Sequence, residues 1–241
     1  MLIFIPTYNE RKNVEMMCQQ LLELDLDADI LFIDDNSPDG TGAILDQLSR
    51  DCHGVSVIHR SGKLGIGSAH LDGIKYAYRH GYARLLTMDC DFSHSPSYIP
   101  KLIEESRDND FVTTTRFVLE NSLEGWGRFR KGLTSLGHFI TKNLFGIGYD
   151  ASGAFRLYKL SSLNPQLFDN IESKGYSFFL ESLLLISHRG YKIIEIPIIL
   201  PNRIRGDSKM RYIDIFKGLY FIIKTYLGIK LCNKDNKLAE T

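Results

Sequence analysis

The 241-residue chain contains no run of 18 uncharged apolar residues, so no segment reads as a membrane-spanning helix. Its opening apolar run, Leu2-Ile3-Phe4-Ile5, meets Pro6 and is far too short for a signal-peptide core. Net charge is also missing, with 29 Lys+Arg against 29 Asp+Glu. That balance removes the general argument for a polyanionic partner and sets nucleic-acid binding aside. The cysteines Cys18, Cys52, Cys90 and Cys232 show neither CxxC nor zinc-finger spacing, which points to reduced thiols in a cytosolic compartment. A P-loop is absent. The nearest approach to a dinucleotide fingerprint, Gly65-Ile66-Gly67, has His70 where a third glycine belongs and follows a loop instead of leaving a strand directly. Repeats and low-complexity stretches are lacking too.

What remains is a chain with 44% hydrophobic residues, long enough for one α/β domain with an appendage. Apolar runs at Leu2 to Ile5, Ile30 to Ile33, Val55 to Ile58, Arg84 to Met88 and Phe111 to Thr115 read as strands. Helical patterns separate them, starting near Asn13, Thr41, Ser68 and Ile99. Strands alternating with helices predict a mainly parallel sheet flanked by helices. Past Arg116 the alternation loosens into a helix opening at Gly125 and running through Phe145, a turn from Asp150 into a short strand ending at Tyr158, a helix around Phe178 to Ser187, and a strand from Lys192 to Ile199. Pro197 marks that last strand as an edge.

The polar residues gather where strands end: Tyr8 and Glu10 after the first, Asp34 and Asp35 after the second, Asp89 and Asp91 after the fourth, and Arg116 after the fifth. Open α/β sheets bind ligands at that edge, and function concentrates on loops held by a rigid sheet. Asp-x-Asp also occurs at Asp25/Asp27, Asp27/Asp29 and Asp108/Asp110, but those pairs precede apolar runs. Only Asp89/Asp91 stand at an exit. Residues i and i+2 of a strand point the same way, so this pair is expected to share one hard cation, Mg²⁺ or Mn²⁺, with the oxygens of a nucleotide diphosphate. From Arg203 onward nine basic residues face four acidic ones, and Arg203 and Lys209 are placed to fold over the same anion.

Six ordered stretches carry a resemblance: Pro6-Thr7-Tyr8-Asn9-Glu10-Arg11, Asp34 through Thr41, Gly65 through Ala69, Met88-Asp89-Cys90-Asp91-Phe92-Ser93-His94, Asp150 through Tyr158, and Arg203 through Lys209. Together they resemble the dolichyl-phosphate (polyprenyl-phosphate) mannose synthases, GT-A-fold glycosyltransferases of family 2, over residues 2 to about 210. The resemblance implies a GT-A (Rossmann-like) domain over residues 1–210 with an amphipathic C-terminal helix and tail over 211–241. It implies transfer of mannose from GDP-mannose, with inversion, onto a polyprenyl monophosphate. Pro6, Tyr8, Glu10, Ile33 and Asp35 would hold the nucleotide; Asp89, Cys90 and Asp91 the diphosphate, with Asp89 and Asp91 as ligands of Mg²⁺ or Mn²⁺; and Arg116, Arg203 and Lys209 the sugar diphosphate. Arg116, Arg130 and Ser135 would face the acceptor phosphate, and Asp89, Asp91, Arg116 and Arg130 would be catalytic. Ser93 stands where some relatives have a Gln as third metal ligand.

A phosphate acceptor accounts for the lack of an obvious general base, because a phosphate monoester loses its second proton near pH ~6 and arrives as a nucleophile. His94 then reads as a structural hydrogen-bonding residue. A sugar hydroxyl as acceptor would need a carboxylate base, and Asp150 is the candidate. The aromatic-rich segment from Ile213 to Leu231 carries lysines every six or seven residues, which suits a helix at a membrane interface. Peripheral attachment at a cytoplasmic face, directly or through an anchoring partner protein, is the expectation. Two alternatives stand beside this reading: a family 2 transferase using UDP-glucose or UDP-GlcNAc on a lipid phosphate or a glycan hydroxyl, and a catalytically silent nucleotide-sugar-binding subunit. The Gln-x-x-Arg-Trp motif of many processive members is absent, and Trp126 is the single tryptophan.

Overall fold

A computed structural model describes residues 1–123, 125–201 and 212–239. Within them, β1 (Leu2–Thr7), β2 (Asp29–Asp34), β3 (Val55–His59), β4 (Leu85–Thr87), β5 (Phe111–Thr115), β6 (Arg156–Tyr158) and β7 (Ile193–Pro197) form one sheet in the order β3-β2-β1-β4-β6-β5-β7. All neighbours pair in parallel except β6, which runs antiparallel to both β4 and β5. The sheet is therefore mixed, with one reversed strand in a mainly parallel array, and β7 lies at an edge as Pro197 requires.

The helices are α1 (Val14–Leu22), α2 (Thr41–Asp51), α3 (Ile66–Arg79), α4 (Ile99–Glu105), α5 (Arg128–Phe145), α6 (Ser177–His188) and α7 (Tyr212–Ala239). Because successive strand residues point to opposite faces, the apolar runs of β1 and β2 divide between two cores. Leu2, Phe4, Leu31 and Ile33 pack with Ala69, Ile74 and Ala77 of α3 and with Phe178 and Leu183 of α6. Ile3, Ile5, Ile30 and Phe32 pack with Val14 and Met17 of α1, Leu45 of α2, and Ile99 and Leu102 of α4. A sheet covered on both faces explains why its strands read as continuous apolar runs and not as alternating ones.

Two local readings of the sequence are corrected. β1 does not stop at Pro6; it runs to Thr7, pairing Pro6 with Ile33 and Thr7 with Asp34. In a parallel ladder the N–H and C=O of one residue face the same neighbour. The Phe4 carbonyl accepts from Met88 N (3.2 Å) on the β4 side and the Thr7 carbonyl from Asp35 N (3.0 Å) on the β2 side. Pro6 therefore turns its missing donor toward β4, which has already ended at Thr87, and no ladder bond is lost. For the same reason Asp89 and Asp91 are not strand residues: they lie in the bend beyond β4, so strand alternation does not set their directions.

Helix α3 lies unusually close to its neighbours. A Cβ on Gly67 would sit 2.6 Å from the Ser173 carbonyl oxygen, 2.7 Å from that of Gly175 and 2.7 Å from Phe178 Cβ. Ser68 N donates to the Lys174 carbonyl at 3.2 Å, fastening the 173–175 loop to the first turn of the helix. By contrast α5 and α7 leave large apolar side chains outside. Leu133, Leu136, Phe139 and Leu144 of α5 and Ile213, Phe216, Leu219, Tyr220, Ile223 and Leu227 of α7 are all exposed. The inner side of α7 contributes Phe221 and Ile222 to the core. Among the described residues no helix is long and apolar enough to cross a membrane.

Replacing Gly67 with Ala should destabilise the domain by about 1–3 kcal/mol, because two backbone carbonyls must give way. A Cβ on Gly148 meets nothing within 4 Å, so Gly148→Ala is the matched control. Urea denaturation of the two variants checks this, with the midpoint falling for Gly67→Ala alone.

Candidate active site

The exits of the parallel strands and the turn that feeds β6 enclose one cleft of about 620 Å³. It is within the range of a nucleotide-sized site. Pro6, Tyr8, Glu10, Asp35, Asp89, Cys90, Asp91, Arg116 and Arg130 all line it, joined by Lys63, Ser93, His94, Ser152 and Gly153. Of the other residues singled out from sequence, Ile33 is fully buried in the core with Phe4 and Leu31 and is not among the lining residues. Ser135 is exposed on α5 and likewise does not line the cleft. Arg203 and Lys209 lie outside the described residues.

At one end the turns after β1 and β2 are stitched together. Asp34, 1% exposed, accepts from Thr7 Oγ1 (3.0 Å), Ser37 N (2.9 Å) and Ser37 Oγ (2.6 Å), so it organises the turns and does not face the cleft. Asn9 N donates to Ser37 Oγ at 2.9 Å. Asn9 and Asn36 hold φ of 56° and 55°, a left-handed conformation that Asn tolerates better than most residues. Glu10 accepts from Asn13 Nδ2 at 2.6 Å, and its own N–H donates to Thr41 Oγ1 at 2.9 Å. Asp39 accepts from Thr41 and from Arg11 N; burial opposes its ionised form, but these hydrogen bonds outweigh it and hold the carboxyl below its ordinary value.

Asp35 is held differently. Arg60 Nη1 reaches its Oδ1 at 2.7 Å, and Arg60 also donates to Ser68 Oγ at the start of α3. Burial pushes the Asp35 carboxyl up and Arg60 pulls it back, with a net upward direction. Arg60 was not among the residues singled out, although it directly follows β3 and the strand-exit rule applied to that strand would have reached it. Lys63, three residues on, sits with Nζ 4.3 Å from the centre of the Tyr8 ring, a cation–π contact at the cleft wall.

In the bend after β4, Asp91 is 4% exposed and its Oδ1 accepts from Ser93 N (3.1 Å) and Ser93 Oγ (2.5 Å). Ser93 thus orients the Asp91 carboxylate. The Asp89 side chain is 34% exposed, and its backbone N–H donates to His94 Nδ1 at 3.1 Å. That bond makes Nδ1 an acceptor and leaves the ring proton on Nε2. Burial pushes the Cys90 thiol well above its ordinary range, so it is not a nucleophile. Two hard carboxylate oxygens facing a cleft suit Mg²⁺ or Mn²⁺, which complete their coordination with phosphate oxygens and water. Among the described residues no group of three His, Cys, Asp or Glu side chains forms a complete protein cage. The donor set fits an ion brought in with, or completed by, a diphosphate.

The opposite wall is cationic. Arg116 donates from Nε to Asp150 Oδ2 at 2.7 Å and from Nη2 to Ser152 Oγ at 3.2 Å, and its backbone carbonyl accepts from Ser122 Oγ. Asp150, 1% exposed, also accepts from Ser152 N and Oγ, each at 3.0 Å. With its lone pairs committed in this way, Asp150 is a clamp for Arg116 and a poor candidate for a base. Arg130, on the first turn of α5, lies 3.5 Å over the Trp126 ring, which gives the single tryptophan a role in holding a cleft cation. Behind Asp150, Glu195 of β7 accepts the Asp150 N–H. Burial and the nearby Asp150 charge push the Glu195 carboxyl up to about 7, with the Asp150 N–H opposing them.

Similarity to known proteins covers most of the chain. Residues 2–165 match the family model described as glycosyl transferase family 2. The chain is 34% identical over 210 residues to an undecaprenyl-phosphate mannosyltransferase of Micrococcus luteus, spanning 87% of this chain and 86% of that protein. It is 32% identical over 222 residues to a polyprenol monophosphomannose synthase of Mycolicibacterium smegmatis, spanning 91% and 84%. In fold it is similar to the mannosyltransferase PcManGT from Pyrobaculum calidifontis, solved with GDP-Man and Mn²⁺. The TM-score is 0.53 at 14% identity, over 86% of this chain and 57% of the other. That likeness establishes a GT-A-like α/β architecture.

Glu195 carries a pH signature. Folded, its carboxyl titrates near 7; unfolded, it returns to its ordinary 4.5. Between those values the folded state binds more protons, so this group's contribution is full below about pH 4.5 and is lost as pH rises through about 7. Thermal unfolding followed from pH 5 to 8 should show the Tm of Glu195→Gln gaining on that of the native chain as pH rises. A constant difference across that range would refute the assignment.

Proposed function

The chain belongs to glycosyl transferase family 2, and from that premise we propose that it is an inverting transferase moving mannose from GDP-mannose onto a polyprenyl monophosphate. The observation that carries this reading is a cleft with carboxylates on one wall, arginines on the other, and its prospective bases already engaged. Glu10 is held by Asn13, Asp35 by Arg60, and Asp150 by Arg116, while Nδ1 of His94 accepts the Asp89 N–H. A hydroxyl acceptor needs a base to take its proton in the transition state. A phosphate monoester above pH ~6 does not.

In this mechanism a non-bridging oxygen of the lipid phosphate attacks C1 of mannose from the face opposite the diphosphate. The new O–C1 bond forms as the C1–O bond to the β-phosphate breaks, and the electron pair leaves with GDP. Arg116, held rigid by Asp150 and Ser152, and Arg130, spread over Trp126, orient the attacking phosphate through planar guanidinium forks. A Mg²⁺ or Mn²⁺ ion held by Asp89 and Asp91 would offset the charge that develops on the departing diphosphate. Pro6, Tyr8, Glu10 and Asp35, which line the cleft, would hold the nucleoside end.

The lipid acceptor also gives a reason for the exposed apolar stripes. Ile213, Phe216, Tyr220, Ile223 and Leu227 recur at spacings of three and four along α7, and α5 exposes Leu136 and Phe139 as well. Lys217, Tyr220 and Phe221 of α7 line the cleft itself. A helix with that profile lies at a bilayer interface with its apolar side in the acyl boundary. It would bring the cleft mouth to the phosphate of a membrane-embedded lipid on the cytoplasmic face.

Incubating the protein with labelled GDP-mannose, Mg²⁺ or Mn²⁺ and polyprenyl phosphate should yield a lipid-linked sugar, whereas the unphosphorylated polyprenol should yield none. Asp89→Ala and Asp91→Ala should each lower turnover by about 10²–10³-fold or more, on the scale of lost transition-state charge stabilisation, with near-native circular dichroism. Product from UDP-glucose or UDP-GlcNAc but not from GDP-mannose would replace the donor assignment. Binding of nucleotide sugar without transfer to any acceptor would replace the enzyme assignment altogether.

A further inference from the structure

A row of side chains crosses the sheet beneath the cleft. In register, Thr87 of β4 stands beside Arg156 of β6, Arg156 beside Thr113 of β5, and Thr113 beside Glu195 of β7. Directly paired residues of adjacent strands project from the same face, so all four share one side. Thr87, Arg156 and Thr113 are fully buried. Over them runs the backbone of the turn from Asp150 to Ala154, and the row binds it point by point. Glu195 accepts the Asp150 N–H, Arg156 Nη2 reaches the Ala151 carbonyl (3.5 Å), Arg156 Nε the Gly153 carbonyl (2.7 Å), and Thr87 Oγ1 the Ala154 carbonyl (2.7 Å).

Arg156 is the centre of this arrangement. Its other donors cross to α6, where Nη2 bonds the Phe179 carbonyl and Nη1 bonds Ser182 Oγ, both at 2.9 Å. The guanidinium lies between the rings of Phe179 (5.1 Å) and Phe111 (5.6 Å). A fully buried charge is costly unless hydrogen bonds satisfy it, and here carbonyl dipoles do so from two elements that both line the cleft: Ser152, Gly153 and Ala154 on one side, Tyr176, Ser177 and Phe179 on the other.

We propose that Arg156 is a positioning residue for the cationic wall of the cleft. It fixes the 150–154 turn against α6, and through Asp150 and Ser152 it fixes the direction of Arg116. The inference rests on the proposed function only for the identity of the anion that Arg116 receives. Lysine does not substitute, because a single ammonium on a flexible stem cannot span the turn carbonyls and the α6 acceptors together, whereas a planar fork does.

The test compares the native chain with Arg156→Lys, Arg156→Met and Thr87→Val, the last removing one tether at nearly constant volume. Amide hydrogen exchange is read over residues 150–156 and, as internal reference, over β1 and β2. GDP affinity and turnover on polyprenyl phosphate are measured in parallel. In both Arg156 variants exchange over 150–156 should rise at least about tenfold relative to β1 and β2, with a smaller rise in Thr87→Val. Turnover should fall by about 10²-fold in Arg156→Met, the scale of a roughly 1 Å misplacement, while GDP affinity changes less than threefold. Exchange unchanged over the turn, or raised equally in β1 and β2, would overturn the proposal, as would full activity in Arg156→Lys. Should Arg156→Met fail to fold, Arg156→Lys and Thr87→Val decide by the same exchange readout. If the native chain transfers nothing to polyprenyl phosphate, the functional reading fails while the exchange comparison still decides the positioning role.

Discussion

The reversal of β6 is the constraint on which the site depends. In a wholly parallel sheet each strand begins at the edge opposite the ligand site, and the segment feeding it is remote from chemistry. Because β6 runs against β4 and β5, its first residue, Arg156, lies beside Thr87 and Thr113 near their exits, and the turn before it folds over the ligand edge. That turn carries Asp150 and Ser152, the two residues that hold Arg116. One antiparallel strand thus converts a one-sided site, built from the exits of β1, β2 and β4, into a cleft with two walls.

The two walls differ in charge and in how that charge is tolerated. A buried carboxylate or guanidinium lacking partners costs several kcal/mol, so each is held in a small hydrogen-bonded unit. Asp34 binds Thr7 and Ser37, Asp35 binds Arg60, Asp91 binds Ser93, and Asp150 binds Arg116 and Ser152. Every one of these units joins two segments distant in sequence or the two ends of a tight turn. The polar groups thereby set the relative positions of these loops together with the apolar anchors the loops send into the core, Cys90 and Phe92 beside Asp91 and Ala151 beside Asp150. His70 marks the limit of this logic: fully buried among Phe4, Phe178 and Phe179, it has its pKa pushed down to about 3 by burial, then by Arg156 and His94, and it packs as a neutral aromatic ring.

The sheet was legible in sequence wherever strands are buried on both faces. Phe111 to Thr115 is matched residue for residue, and the other apolar runs differ by a few residues at their ends. What the pattern could not convey was direction. Arg156-Leu157-Tyr158 reads as a short strand, but nothing in three residues says which way it runs or between which neighbours it inserts. The carboxylate pair was found by its place at a strand exit even though the alternation used to aim it does not apply, since β4 stops two residues earlier. Ile33, which the resemblance implies for the nucleotide, differs from these: the sheet buries its side chain completely. Arg60 directly follows β3, so the strand-exit rule reaches it, but its pairing with Asp35, 25 residues away, is encoded by no local spacing.

The position of the two outer helices follows from the same economy of burial. Helix α6 is enclosed, with Phe178, Phe179, Leu180, Leu183, Leu184 and Ile186 buried, and it forms the layer on which the cleft floor rests. Helices α5 and α7 pack with only one side each, and their second apolar sides stay exposed. Phe145, packed against the core, meets Tyr226 edge to face at 6.4 Å, and Lys224 pairs with Glu172 at 2.9 Å on the surface. An exposed ion pair of that kind contributes little to stability, so it does not explain why α7 keeps five large apolar side chains in one outward stripe. Burying such a stripe in an acyl boundary is favourable at roughly 25 cal/mol per Å² of apolar surface. On the proposed function, a lipid surface would offset the cost of displaying it in water, and that is also where a polyprenyl phosphate would have to enter the cleft.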